Sequence, residues 1–499
     1  MQSYKLILGL ILGSFAFGAL PSNNTGTWET RNNGNDTNGG AFVAGSSGTD
    51  YSTNDNKNAS GCSNCGSSSV NLSTTDAVAN GTTTITSATA NFSSAIVGNI
   101  VYFQGGTGSI TAQWRHVTTF TNSTTIVIDA SIATSTGMTM NIGGALKTLA
   151  QLNTNLGLAT RQRAWVKNDG TYSISAAVSF NLGVPGATPY LSFISGYTTT
   201  RGDGGRPTIQ ASGTMATNMI RLASPWWTFE NFIIDGNSLA CPFEVGTGNQ
   251  QAILARHIEA KNWGSACTGG TGGAIFFVSF GGVCFDCYAH TGTGGPAINF
   301  NGGWNNLCVN CKASDVTTYP GFSFNGGNSC INCISNDISG TSADCLIVAA
   351  VNAPTMIYGF SAYNCGRDGI RVSNGPAAIS VINSVIYTVG VSATGYALNN
   401  AVSGTFDQAA VNFDYNAYES GSINGITAGA NDQTLTANPY TNTGTQDFTL
   451  NSTAGGGAVA RNTGFPGALI SGGTGGTSMG AIQPTAAAAS TGSAIGYVQ

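Results

Sequence analysis

Three C-x-x-C pairs stand at near-constant intervals in the middle of this chain. They are Cys284/Cys287, Cys308/Cys311 and Cys330/Cys333, in the strings VCFDCYAH, LCVNCKAS and SCINCISN. From first cysteine to first cysteine the steps are 24 and 22 residues. A fixed period in the twenties marks an architecture in which each repeat stacks on the last. Two such pairs about twenty residues apart would ordinarily point to zinc. Three in series read instead as one position of a solenoid, filled repeatedly by the same residue. On that reading no metal and no cofactor are expected, because a straight column offers ligands in a row and zinc needs four converging tetrahedrally.

The repeat extends beyond the cysteines. A small residue follows each pair at Ala289, Ala313 and Ser335, and the same frame is visible in Ile258-Ala260-Asn262, Phe360-Ala362-Asn364 and Ile382-Ser384. Between these strings a second apolar segment returns: GGAIFFV, PAINF, GFSF, DCLIV, DGIRV and GYALN. Apolar alternation with period two means strand, and Gly, Asn, Ser and Thr clusters supply turns between the strands. Short strands at this period predict an all-β fold, a parallel β-helix, with Ala260, Ala289, Ala313 and Ser335 in one internal column. Strict alternation places Cys287, Cys311 and Cys333 inward as small apolar fillers. It places Cys284, Cys308 and Cys330 at the turn or outside.

Gly makes up 70 of 499 residues and charged residues only 8%, but 41% hydrophobic and 9% aromatic content suffices for a core. The net charge of −5 and the lack of a basic run exclude nucleic acid as an expected partner. Residues 1–22 read as a secretory signal or anchor, with Lys5 before an apolar stretch from Leu6 to Leu20. Residues 23–67 form a Gly/Asn-rich N-terminal segment. Residues 68–145 alternate in the manner of a small β module of five or six strands. The β-helix is assigned to 146–440. It opens with a cap helix in LKTLAQLNTNLG, where Leu146, Leu149, Leu152 and Leu156 have helical spacing, and some ten or eleven coils follow from Trp165. Residues 441–499 make a closing segment and tail. In an exported chain cysteines pair. Cys241 with Cys267, about one coil apart, and Cys62 with Cys65 are the candidate disulfides.

Four strings carry a family resemblance: TWETRNNGNDTNGGAFV (27–43), NIGGALKTLAQL (141–152), ISGYTTTRGDGGRPTIQAS (194–212) and RDGIRV (367–372). They look like β-helix repeat proteins of the tailed-phage and environmental viral type, which have the pectate-lyase-like fold. The resemblance covers most of residues 27–400. The later DFTLN and GAIQ strings are similar to the closing motif of such proteins. It implies a right-handed helix and a location outside the cell or on a virion surface. For a tailspike-like member it also implies a trimer.

Such folds host lyases, hydrolases and adhesins alike, so chemistry must be sought in residues. The Asn-x-Asp, Gly-His and Arg-x-Lys set of polygalacturonases does not occur, nor do the clustered acids of calcium-dependent lyases. One constellation remains. In ARHIEAKN, His257, Glu259 and Lys261 should point outward from one strand. Coil register then places Asp286 beside His257, Tyr288 beside Glu259, His290 and Asp235 beside Lys261, and Lys312 beside Tyr288. A Lys, Tyr or His there could abstract a proton, and Asp235 with Glu259 could serve acid/base hydrolysis. A solvated face with cross-strand ion pairs explains the same residues more simply. Arg201-Gly202-Asp203 reads as a turn, and one of Trp226 and Trp227 should fill the core. Asn262, Asn301, Asn325 and Asn374 are expected to stabilise bends. The resulting expectation is a non-catalytic structural or receptor- and glycan-binding surface protein whose partner is a polysaccharide. The alternative is a polysaccharide lyase or glycoside hydrolase acting near Lys261 and His290.

Overall fold

The structure, a computed structural model, describes residues 26–55, 72–156, 163–181, 192–215, 217–246, 253–267, 272–302, 304–325, 327–349, 354–373, 378–402, 411–419, 421–461, 463–465 and 479–480. Residues 1–22, Cys62, Cys65 and Asn374 lie outside them. No helix among the described residues is long and apolar enough to cross a membrane.

The chain divides into two units, 1–147 with 161–163, and 148–160 with 164–499. In the first, six antiparallel strands close into a small barrel in the order Leu72–Ala79, Thr84–Thr86, Thr125–Ile128, Ile110–Asn122, Ile100–Gly105, Ser135–Ile142. Alternation along these strands sends Ile85, Val101, Phe103, Val117, Ile126, Met138 and Met140 into one apolar centre.

The second unit is a parallel β-solenoid. Its cap helix, Leu149–Leu156, has its first turn held by Thr148 Oγ1, which accepts from Gln151 N at 3.1 Å. The helix buries Leu149, Leu152 and Leu156 and packs on the strand Val178–Phe180. That strand begins a ten-stranded sheet, which continues through Ile220–Leu222, Phe243–Val245, Ile275–Phe277, Ile298–Phe300, Phe322–Phe324, Leu346–Val348, Ile370–Val372, Leu398–Asn400 and Ile423–Asn424. Every described pairing in it is parallel. Phe277, Phe300 and Phe324 occupy one inward column with ring centroids 4.8 and 5.1 Å apart. Such contacts each contribute about 0.5–1.5 kcal/mol beyond the burial of area.

Two further faces of each coil meet at a corner. On one of them Ala260 pairs with Ala289, Ala289 with Ala313, and Ala313 with Ser335, all fully buried. The corner column is Asn231, His257, Asp286, Asn310 and Asn332, each with φ between 50° and 64°. Asn, Asp and His tolerate this left-handed conformation better than other non-glycine residues. A second left-handed column closes the face at Asn262, Thr291, Asp315, Asp337 and Asn364. Close approach forces a glycine at 292, where a Cβ would lie 1.9 Å from the buried ring of Trp263.

The corner corrects one expectation. Cys284, Cys308 and Cys330 are not at the turn or outside; each is 0% exposed. Strict alternation fails because the left-handed residue at 286, 310 or 332 turns the chain between the two cysteines of each pair. Both cysteines therefore face the interior, in two adjacent columns.

Cys241 and Cys267 are joined by a disulfide with Cα atoms 5.3 Å apart. A second disulfide, Cys345–Cys365, was not anticipated; its residues are 20 apart, less than one coil. At the far end the helix Gly457–Ala460 packs on the last strand of the stack, Gln433–Leu435. The closing segment does more than cap that end. Its hairpin, Tyr440–Asn442 with Asp447–Leu450, folds back along the outside of the coils. Tyr440 and Phe448 pack on Tyr363, while Phe448 also reaches Lys312.

Candidate functional site

Register brings the sequence candidates together on one lateral face, in three columns. Asp235, Lys261 and His290 are successive partners, as are Glu259, Tyr288 and Lys312. His257 and Asp286 belong instead to the left-handed corner. His257 thus does not share an outward strand position with Glu259. Its Nδ1 lies 3.0 Å from Asn231 Oδ1 and its Nε2 3.1 Å from Asp286 Oδ2, a side-chain ladder running along the bend.

Each carboxylate of the patch is already engaged. Asp235 is buried, and its Oδ1 accepts from Asn237 N at 2.9 Å and Asn262 Nδ2 at 3.0 Å. Glu259 Oε1 lies 3.4 Å from His290 Nε2, and its Oε2 lies 3.1 Å from Arg206 Nη1. The hydrogen bond from His290, with the Arg206 charge, holds the Glu259 carboxyl below the usual carboxylate range. An acid kept ionised in this way is a poor proton donor for glycoside cleavage. Tyr288 stacks on His290 with centroids 4.4 Å apart, and its hydroxyl is 2.8 Å from Ser314 Oγ. Burial raises its pKa and lowers that of Lys312. Lys312 Nζ is held by Gln446 and lies 5.6 Å from the Phe448 ring, so the hairpin covers it.

Arg206, Gln446 and Phe448 escaped the sequence reading. Arg206 lies in a glycine-rich string with nothing to mark it. Gln446 reaches Lys312 across 134 residues, and no local pattern encodes that contact. The turn reading of Arg201-Gly202-Asp203 has a visible basis. The Asp203 carboxylate accepts from the backbone N–H groups of Thr198, Thr199, Thr200 and Gly205 at 2.6–3.0 Å, which keeps it strongly acidic. Trp227 fills the core, fully buried.

Glu259→Gln tests the electrostatics of the patch. Because the folded-state pKa is depressed, the stabilisation from Glu259 is present above the unfolded carboxylate pKa and is lost as pH falls through the folded one. The difference in unfolding free energy between wild type and variant should be no more than about 1 kcal/mol near neutrality and should shrink as pH falls through the depressed folded pKa. A difference independent of pH in denaturant titrations would show that Glu259 is not held as described.

A different feature stands on the turns beyond the ten-stranded sheet. Among the described residues, Trp304 and Val391 are the large apolar side chains left exposed, at 46% and 48%. The Trp304 ring meets that of Phe280 edge to face, with centroids 6.1 Å apart. On the neighbouring turns Asn325 Nδ2 donates to Asn301 Oδ1 at 2.8 Å. The turn is braced from within by Asn306, whose amide donates to Asn328 Oδ1 at 3.0 Å and whose Oδ1 accepts from Gly282 N at 2.8 Å.

These coils, columns and corners define a right-handed parallel β-helix protein of the pectate-lyase-like fold. Among solved structures the chain is similar to pectate lyase Pel9A, with TM-score 0.51, 14% identity, and coverage of 68% of this chain and 91% of that one. It also aligns with the Dettilon tailspike protein (TM-score 0.40, 10% identity, 57% and 62% covered) and with ORF18 of Geobacillus virus E2 (TM-score 0.35, 11% identity, 55% and 57% covered). No protein-family model and no curated protein matches the chain.

Proposed function

We propose that this is a non-catalytic surface protein of a virion or of the extracellular space that binds glycan chains. Its contact surface is the ledge of Trp304 and Phe280 beside Asn301 and Asn325. The exposed Trp304 carries this reading. Among the described residues every other aromatic is buried or half-buried, and Trp304 alone stands in the open, on a braced turn. Flat aromatic faces with adjacent amides suit the apolar face and hydroxyl rim of a sugar ring. The engagement of Asp235, Glu259 and Lys312 with neighbouring side chains argues against the lyase or hydrolase alternative. Assembly as a trimer would repeat the ledge about the symmetry axis and raise avidity.

The experiment is a glycan array probed with the wild-type chain and with Trp304→Ala, joined to a cleavage assay on every glycan bound. Wild type should bind and release no shorter product. Trp304→Ala should bind at least about tenfold more weakly, a loss of about 1.4 kcal/mol, with unchanged thermal unfolding. Cleavage abolished by Lys261→Ala or His290→Ala would establish the enzyme reading instead. Equal binding by wild type and Trp304→Ala would remove the ledge from the proposal.

A further inference from the structure

The corner that turns Cys284 inward also changes what the cysteines can do. A straight column would keep them in a row, but the left-handed residue at 286 sets two columns side by side. The Sγ atoms of Cys284, Cys287 and Cys311 all lie within 4.8 Å of one another. All three residues are buried, at 1% exposure or less. Two come from one coil and the third from the next, so the triangle exists only in the stacked solenoid. The same interior holds two disulfides, yet these three sulfurs and those of Cys308, Cys330 and Cys333 remain thiols.

From this geometry we infer that Cys284, Cys287 and Cys311 form a three-sulfur binding site for a soft monovalent cation, copper(I). The donor set is sulfur alone, which selects soft ions over magnesium, calcium or manganese. It numbers three, one short of the tetrahedral set of structural zinc sites. The surroundings are dry, which disfavours an ion that brings a higher charge or needs water to complete its shell. Without the ion the three residues are buried free cysteines. The thiols then point at backbone carbonyls; Cys311 Sγ lies 3.3 Å from Cys284 O and Cys287 Sγ 3.6 Å from Ala255 O. On uptake each thiol that becomes a thiolate releases one proton to solvent while a sulfur–copper bond forms. Copper stays in the +1 state throughout, so no oxidant or reductant is consumed. Uptake must therefore weaken as pH falls.

The test uses the full chain, produced with added copper and handled without oxygen, the Cys241–Cys267 and Cys345–Cys365 disulfides left intact. Elemental analysis after dialysis against a copper(I) chelator should find about one copper per chain. Titration of the copper-free chain with copper(I) should give the same stoichiometry, weaker by at least about tenfold per unit fall in pH if one proton is released. Cys287→Ala and Cys311→Ala should each abolish retention against the chelator, while Cys330→Ala, outside the triangle, should retain it. Alanine already occupies neighbouring interior columns, so these variants should keep the β-sheet circular dichroism of wild type. Should one of them fail to fold, Cys284→Ser reads the same sulfur set. Overturning results are no retained copper in wild type, retention unchanged in Cys287→Ala and Cys311→Ala, or retention of zinc in preference to copper(I).

Discussion

Replacing Arg367 by alanine is expected to cost about 3–5 kcal/mol of folding stability, the range for a buried ion pair that loses one partner. Asp344 and Asp368 are fully buried. Arg367 grips Asp344 with Nε at 2.8 Å and Nη2 at 2.7 Å, and its Nε lies 3.5 Å from Asp368. Asp368 also accepts from Tyr396 N and Asn399 Nδ2, each at 2.8 Å, so the cluster joins consecutive coils. Burial already raises the Asp344 carboxyl despite the guanidinium. Without Arg367, two carboxylates would remain inside with no cation between them. A carboxyl whose folded pKa is raised gains relative stability as pH falls, so the variant should recover part of its loss between about pH 7 and pH 5. Denaturant unfolding at both pH values checks this. A loss under about 1 kcal/mol, the range for an exposed pair, would mean that the cluster does not bear on stability.

Phe448→Ala should destabilise by a similar amount, about 3–5 kcal/mol, as large aromatic truncations in cores do. Phe448 is 1% exposed and packs on Tyr363 and Tyr440. Tyr440 in turn donates its hydroxyl to Val385 O at 2.7 Å and Ala362 O at 3.2 Å, tying the hairpin to the backbone of two coils. Hydrogen exchange distinguishes where the loss falls. Protection should drop along the strands Ile334–Ser339, Ser361–Cys365 and Val385–Val389, which the hairpin covers, and not within the hairpin alone. Faster exchange confined to Tyr440–Leu450 would show that the hairpin is a passive appendage.

The solenoid was legible because its signal is local and repeated. The alanine column and the second apolar strand each recur with the coil, so alternation and period place them without any long-range information. The corner was legible in principle and was misread. Asp286, Asn310 and Asn332 fill the position before the second cysteine of each pair, and Asn and Asp are the residues that accept a left-handed backbone. Treating the C-x-x-C segment as one continuous strand hid that turn, and with it the inward course of Cys284 and the departure of His257 from the strand face. The pairings of Gln446 with Lys312 and Tyr440 with Val385 had no sequence signal. They join segments whose only relation is that both lie on the outside of the coils. Arg206 beside Glu259 is a milder case, since register would bring the strand that follows it, Thr208–Ala211, near that column but not orient the Arg206 side chain.

The backfolded hairpin gives the stack a mechanical property that coils alone would lack. In a solenoid each coil holds only its neighbours, so tension applied at the C-terminal end could strip them one after another. The hairpin rests on the successive coils that carry Tyr288, Lys312, Ile334, Tyr363 and Val385, and acts as a splint laid across the joints. Pulling from that end must first peel the splint. Its rupture should precede a regular sawtooth of single-coil events, and the coils beneath it gain resistance to shear against one another.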